Sequence, residues 1–420
     1  MDINKILKQQ IELIKPDKET LDKINKNSNE FVKNLKNRLK NKKIKAEVFI
    51  GGSLAKKTIV KKDRYDADIF VRFDKKYGDE EISRLLGKIM DRNSKKIHGS
   101  RDYYQQASNG IIMEIIPVIK IKNQQEAQNI TDLSYFHVNY INKIINKNKK
   151  LAEDILLAKT FVHAQNCYGA ESYIHGFSGY SLELLICHYG SFLKFIREIA
   201  KHSKDKIIID DAKFYRNNNE ILRELNESKT KSPIILIDPT FKERNALAGL
   251  SYETFVKFKK ACQGFLGNPS DKFFEVEDIQ EELKRKYKNK LIIIAVKTNK
   301  QAGDIAGTKS KKFFEFFILK LEKEFNVKIK EFEYNENKNI SYYYLVIEKK
   351  PDEIIRGPSV KDIHNLARFK KARKKIFIKN DFAYAKIRHD LSFKEFIQRF
   401  KAKEKKIIKE MSVKEIKLIT

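Results

Sequence analysis

Apolar positions recur every three to four residues through residues 1–45, beginning MDINKILKQQIELIKP, which predicts two Lys-rich helices broken near Pro16. From 46 to 123 short apolar runs alternate with helical stretches. Val48-Phe49-Ile50, residues 67–71 and residues 111–117 read as strands, and 79–93 reads as a helix. Asp132 stands where a capping residue opens a further helix. The helical period then dominates residues 151–268, as in 180–195 and 252–266, and stops at Gly267-Asn268-Pro269. Beyond that the character changes. Residues 290–297 read as a strand, 305–325 as a helix, and 327–333 and 342–347 as two further strands. Pro351 and Arg356-Gly357-Pro358 mark a boundary, followed by a basic run at 368–375 and more helix to the end. There is no internal repeat.

This succession predicts an α+β multidomain chain, in keeping with its 420 residues. Residues 1–150 join the N-terminal helices to a sheet, 151–268 form a helical domain, 269–352 a small unit of ferredoxin-like order, and 353–420 a basic C-terminal region. Lys plus Arg number 87 against 56 Asp plus Glu, a net charge of +31. Such a surplus implies a polyanionic partner, nucleic acid ahead of anionic membrane, bound with steep salt dependence. An A·T-rich genome would also enrich Lys, Ile and Asn, so charge supports RNA binding without specifying which RNA. Cys167, Cys187 and Cys262 lack metal-site spacing and read as reduced thiols. The apolar runs are too short to span a bilayer, and the opening helix mixes acidic with basic residues, unlike a signal peptide. The expectation is a soluble, cytoplasmic protein with no membrane partner.

The string GGSLAKKTIVKKDRYDADIFVRF carries the candidate chemistry. A Gly52-Ser53 turn between an apolar strand and a short helix offers backbone N–H groups and a hydroxyl to phosphate. Asp66 and Asp68 alternate with apolar residues and so share a strand face. Glu114 is an acid inside the apolar run IIMEIIP, costly unless something compensates it. Taken singly, a Gly-Ser pair is a capped turn, Asp-x-Asp is common, and a strand acid is an edge or ion-pair residue. Together and in this order they are what a two-Mg²⁺ phosphoryl-transfer site needs: hard oxygen ligands beside a phosphate-binding turn.

This constellation resembles the head domain of the nucleotidyltransferase superfamily that includes polymerase β, poly(A) polymerases, oligoadenylate synthetases and CCA-adding enzymes. Further segments narrow the resemblance. AEDILLAK leads into CYGAES, then HGFSGYSLELLICHYGSF, then Asp238-Pro239, Arg244-Asn245 and Gly357-Pro358-Ser359-Val360. The series, running from about residue 30 to beyond 390, is similar to archaeal-type (class I) CCA-adding enzymes, the tRNA nucleotidyltransferases. It implies a polymerase β-like nucleotidyltransferase head, a helical neck, a ferredoxin-like body and a basic tail; whether the tail is an excursion from the body stays open. The implied activity is template-independent addition and repair of the 3′-terminal CCA of tRNA from CTP and ATP, with two Mg²⁺ ions and release of pyrophosphate.

The resemblance also implies roles. Asp66 and Asp68 would hold both metals, with Glu114, where the family usually has Asp, as ligand or base. Gly52 and Ser53 would bind the β- and γ-phosphates, and Lys56 stands where the family generally carries Arg. His137, Lys159 and Tyr168 match triphosphate and sugar contacts; Arg244, with Asn245, matches the selector of base identity. Acceptor-stem binding would use shape, phosphates and 2′-hydroxyls, through the basic run at 368–375 and the GFSGY helix, with Tyr342-Tyr343-Tyr344 as a stacking candidate. Family members are often dimers, so a homodimer is among the partners implied. The alternatives are a poly(A) polymerase or oligoadenylate synthetase of the same superfamily, or a non-catalytic RNA-binding protein on the same scaffold.

Overall fold

The computed structural model describes residues 2–99, 101–203, 206–299, 303–373 and 375–419. They fall into two compact units, residues 1–276 and 277–420. Lys374, within the basic run, lies outside the described residues.

In the first unit, α1 (Ile3–Ile14) and α2 (Lys18–Asn41) start at Asp2 and Asp17, whose carboxylates accept from the N–H groups of Asn4 and Thr20. A five-stranded sheet follows in the order β1-β2-β5-β4-β3. It comprises β1 (Ala46–Ile50), β2 (Tyr65–Phe73), β3 (Lys95–Ile97), β4 (Tyr103–Ser108) and β5 (Ile111–Ile119). Only β2 and β5 run parallel. Ala67, Ile69, Val71 and Phe73 of β2 and Ile111, Met113 and Ile115 of β5 alternate onto one face. There they pack against Leu35 and Leu39 of α2 and against Ile82 and Leu86 of α4 (Asp79–Gly87). The short α3 (Gly52–Ala55) follows β1.

The second core of this unit differs from the sequence expectation in two ways. First, α1 belongs to it: Ile6 and Ile14 pack with α5 (Ser134–Lys147), α6 (Lys150–Ala164), α7 (Gly179–Tyr189), α8 (Phe192–Lys201) and a later helix at Tyr252–Gly267. The hydrophobic division thus does not follow a break at residue 150. Second, the helical region contains a sheet: β6 (Ile207–Ile209), β7 (Ile234–Asp238) and β8 (Phe241–Asn245), in the order β6-β7-β8. Two short helices, α9 (Asn218–Glu224) and α10 (Glu227–Thr230), lie between β6 and β7, and α11 is Tyr252–Gly267. The helix expected over 180–195 is split at Gly190, whose φ of +78° ends α7, and Ser191 caps α8 by accepting from Lys194 N–H. Asp154 on α6 accepts from Phe192 N–H at 2.9 Å, which fixes the second start.

The second unit has a four-stranded antiparallel sheet in the order β10-β11-β9-β15. After α12 (Ile279–Tyr287) come β9 (Leu291–Thr298), α13 (Gly303–Leu321), β10 (Phe325–Asn335) and β11 (Ile340–Lys349). The chain then leaves for β12 (Glu353–Ser359), α14 (Ile363–Ala372), β13 (Ile376–Lys379) and β14 (Phe382–Ile387). It returns through α15 (Phe393–Lys403), α16 (Lys405–Glu410) and β15 (Val413–Leu418), which pairs with β9. Strand, helix, hairpin, helix, strand is the ferredoxin-like order, completed only by the last residues. The basic tail is therefore an excursion, its own sheet ordered β12-β14-β13, and not an end piece from 353 to 420. Tyr343 and Tyr344 are core residues. The Tyr343 hydroxyl donates to Ser310 O (3.4 Å) and that of Tyr344 to Glu333 (2.7 Å), which removes both from the stacking role. No described helix is long and apolar enough to cross a membrane.

Phe161, fully buried, touches the rings of Phe192, Phe258, Phe265 and Phe274 at centroid distances of 5.4–6.0 Å. Phe161→Ala is expected to lower unfolding free energy by about 3–5 kcal/mol, read as a shift in the urea midpoint.

Candidate active site

The turn after β1 is pressed against β2. Gly51 N–H donates to Asp68 O at 2.8 Å, and a Cβ on Gly51 would stand 2.3 Å from the Phe70 ring. Gly52 has φ +57°, and a Cβ there would stand 1.6 Å from Asp68 Oδ2, so any side chain would displace that carboxylate. Ala55 N–H bonds back to Gly51 O (3.1 Å), and the N–H groups of Gly52, Ser53 and Leu54 precede that first bond of the turn. They are the donors that could meet anionic oxygen beside Asp68.

Asp66 and Asp68 lie on the face of β2 opposite the core, and the parallel register with β5 sets Glu114 beside Asp68. Burial first, then the charges of Glu114 and Asp66, push the Asp68 carboxyl up to about 7. Two neighbours partly compensate: Lys62 pairs with Asp66, and Gln105 Nε2 donates to Glu114 Oε1 at 2.8 Å. Among the described residues no three His, Cys, Asp or Glu side chains are gathered tightly enough to hold an ion. The donors nevertheless fit a hard divalent cation: carboxylate oxygens on one face, whose mutual repulsion such a cation would relieve.

Near Asp68 lies a buried ion cluster, whose lysine charges act on that carboxylate. Lys56 and Lys159 are each 7 % exposed, and Glu183 of α7 is fully buried between them. Glu183 accepts from Lys56 Nζ (2.5 Å), Lys159 Nζ (2.8 Å) and Thr58 Oγ1 (3.0 Å). Burial opposes its ionisation, but Lys159 and Lys56 outweigh that and hold it down at about 2. The Lys159 ammonium also lies 3.2 Å from Thr58 O and 2.9 Å from Thr58 Oγ1, so each of its three protons has an acceptor. Lys56 has the one carboxylate and the Tyr180 ring, 5.8 Å away. Of the two lysines, Lys56 is the one with donors left for phosphate. Burial first, then the charges of Glu183 and Asp66, raise the Tyr168 hydroxyl well above the ordinary range. A Cβ on Gly179 would stand 2.9 Å from that hydroxyl.

Of the remaining predicted residues, His137 and Arg244 gather around Asp238, at the end of β7. Its fully buried carboxylate lies 2.7 Å from Arg244 Nη1 and 3.1 Å from His137 Nε2, and the Tyr180 hydroxyl donates to it at 3.0 Å. The His137 ring stacks on Tyr180 with centroids 4.0 Å apart. Burial, against the opposing pull of Asp238, moves His137 below its ordinary pKa. Asn245 does not join this group. Its Oδ1 accepts from Leu236 and Leu247 N–H (2.9 and 2.8 Å), and its Nδ2 donates to Lys229 O and Ile234 O (2.8 and 3.3 Å). With both ends of the amide used inside the fold, Asn245 closes β7 onto β8. Sequence reading passed over Glu183 and Tyr180. Glu183 could have been found as Glu114 was, as an acid in an apolar segment; Tyr180 carried only the resemblance of GFSGY.

Comparison with known proteins gives two family matches: "tRNA nucleotidyltransferase, second domain" over residues 153–275 and "Second Messenger Oligonucleotide or Dinucleotide Synthetase domain" over residues 1–135. The CCA-adding enzyme of Nanoarchaeum equitans is 34% identical over 345 residues, 80% of this chain and 82% of that one. That of Methanocaldococcus jannaschii is 29% identical over 407 residues, 91% and 87% of the two chains. Among solved structures, the Cid1 poly(U) polymerase aligns with a TM-score of 0.50 at 14% identity, covering 65% of this chain and 98% of that one, a likeness of fold alone.

The Glu183 cluster predicts an acid-sensitive fold. A carboxyl with a depressed folded pKa contributes stability that is complete above its ordinary 4.5 and declines as pH falls toward about 2. Glu183→Gln should flatten that acid limb in urea midpoints measured from pH 7 to 3. At pH 7 it should cost about 3–5 kcal/mol, because two buried ammonium groups lose their carboxylate.

Proposed function

This chain belongs to the archaeal-type CCA-adding enzyme family, and from that premise we propose that it builds and repairs the 3′-terminal CCA of tRNA from CTP and ATP, without a nucleic-acid template. The observation that carries the site assignment is the β2–β5 register, which sets Glu114 beside Asp68 on the open face of the sheet, against a turn that only glycine can make. In each cycle the tRNA 3′ oxygen forms a bond to the α-phosphorus of the incoming nucleotide, and the bond to pyrophosphate breaks. Asp66, Asp68 and Glu114 are the residues that would hold divalent metal, two Mg²⁺ ions in this reading. When bound, the metal activates the attacking hydroxyl and neutralises the triphosphate.

The chain's own groups do the rest. The N–H groups at Gly52 and Ser53, with Lys56, receive the β- and γ-phosphates, and Lys159 fixes Lys56 through Glu183. His137 lies at the same end as Arg244, whose guanidinium meets the Watson–Crick edge of the base. The tRNA stem is bound by shape and phosphate contacts, with Arg368, Lys370, Lys371 and Arg373 on and just after the exposed α14 as one basic surface. Such a protein works where tRNA matures, in the cytoplasm.

Asp68→Ala should abolish incorporation into a tRNA lacking CCA, while tRNA affinity in a filter-binding assay stays within about threefold, since phosphate contacts dominate that affinity. Full activity in that variant would remove Asp68 from the site. Chelation by EDTA should stop incorporation and added Mg²⁺ restore it. Arg244→Ala should change the ratio of CTP to ATP incorporation more than the KM for tRNA.

A further inference from the structure

We propose that Asp238 and Tyr180 are positioning residues that set nucleotide choice by fixing which edge of the Arg244 guanidinium meets the incoming base. The proposal rests on Arg244 being the selector. Asp238 Oδ1 accepts from Thr240 N–H (2.8 Å), Thr240 Oγ1 (2.7 Å) and the Tyr180 hydroxyl (3.0 Å), so it is tied to the backbone of its own turn. Asp238 Oδ2 accepts from Arg244 Nη1 (2.7 Å) and from His137 Nε2–H (3.1 Å). One oxygen is held by the fold and the other holds the selector.

The consequence follows from the donor geometry of arginine. Its five N–H groups form a rigid planar fork, two on each Nη and one on Nε. Nη1 is anchored at Asp238 and lies 3.2 Å from His137 Nε2, while Nε and Nη2 make no hydrogen bond among the described residues. What remains is a parallel Nε–H/Nη2–H pair. That pair complements two adjacent acceptors, which cytosine presents at N3 and O2. The Watson–Crick edge of adenine offers the N1 acceptor beside the N6 donor. Every edge of a guanidinium only donates, so a guanidinium turned off this alignment would lose the second contact to cytosine, and with it the advantage of cytosine over adenine.

Tyr180 closes the third side. Its ring stacks on His137 at 4.0 Å, with Arg244 Cζ 5.6 Å and Lys56 Nζ 5.8 Å from its centroid, so one ring touches both the base-selecting and the phosphate-facing cations. Asparagine cannot replace Asp238 in either orientation. Its NH₂ would face either the Thr240 N–H or the Arg244 guanidinium, both of which only donate.

The test is the ratio of kcat/KM for CTP to that for ATP on a tRNA lacking its last three nucleotides. Asp238→Asn is expected to lower that ratio by about tenfold or more, the scale set by one mispaired buried polar group. Tyr180→Phe, which keeps the stack and loses one hydrogen bond, should move it in the same direction by about threefold. A merely structural role would reduce both nucleotides equally through a smaller active fraction and leave the ratio alone, which would overturn the proposal. Arg244→Ala is run beside them. If it shifts the ratio and Asp238→Asn does not, the positioning claim fails and the selector reading stands; if neither shifts it, the selector reading fails too. Should Asp238→Asn show no cooperative thermal melt, Tyr180→Phe decides, and an unchanged ratio there overturns the proposal.

Discussion

Glu183 is a fully buried carboxylate that binds two lysines arriving from different cores of the same unit. Lys56 follows α3, where the glycine turn leaves the five-stranded sheet; Lys159 comes from α6, inside the helical core. Thr58, two residues beyond Lys56, bonds to both partners. Burying three charges gains little stability compared with apolar packing of the same volume, but removing one partner leaves the others unpaired in a low dielectric. The arrangement therefore acts through specificity: an alternative seating of the turn on the helices would strand a charge. Within the first unit, Asp66, Asp68, Glu114 and the glycine turn belong to the sheet, and Lys159, Tyr180, Asp238 and Arg244 to the helical region.

Two different devices then place the chemistry. On the sheet, position follows from register. Parallel pairing of β2 with β5 sets Glu114 beside Asp68, and the glycine turn fits against Asp68 only because positions 51 and 52 lack a Cβ. In the helical region, position follows from polar saturation. The Asp238 carboxylate meets donors on both oxygens, which leaves Arg244 one usable edge. The first device tolerates accumulation of negative charge, visible in the upward shift of Asp68; the second removes ambiguity about hydrogen-bond direction.

Much of this was legible in the sequence. The period-two pattern of β2 put Asp66 and Asp68 on one face and marked Glu114 as an acid in an apolar run, while its place beside Asp68 depends on the β2–β5 register; the strand–helix–strand–strand order of the second unit suggested the ferredoxin-like arrangement. What escaped had physical causes. The strand β6 is three isoleucines long, and β7 and β8 are buried or turn-bound segments too short to show alternation amid helices. The amphipathic pattern of α1 announced a helix but could not say which core its apolar stripe would meet. The tail became an excursion only through pairing of β15 with β9, a contact between residues over a hundred positions apart. Asn245, singled out beside Arg244, is turned into the fold because β8 alternates its faces.

The central claim, that these groups add CCA to tRNA, is tested most directly with purified protein, Mg²⁺ and a tRNA transcript lacking its last three nucleotides. Products are resolved after incubation with CTP alone, ATP alone, or both. The account predicts addition of two C residues with CTP alone and one further A only when ATP is also present, after which extension stops. Long A-tails from ATP alone, or no incorporation under any of the three conditions, would contradict it.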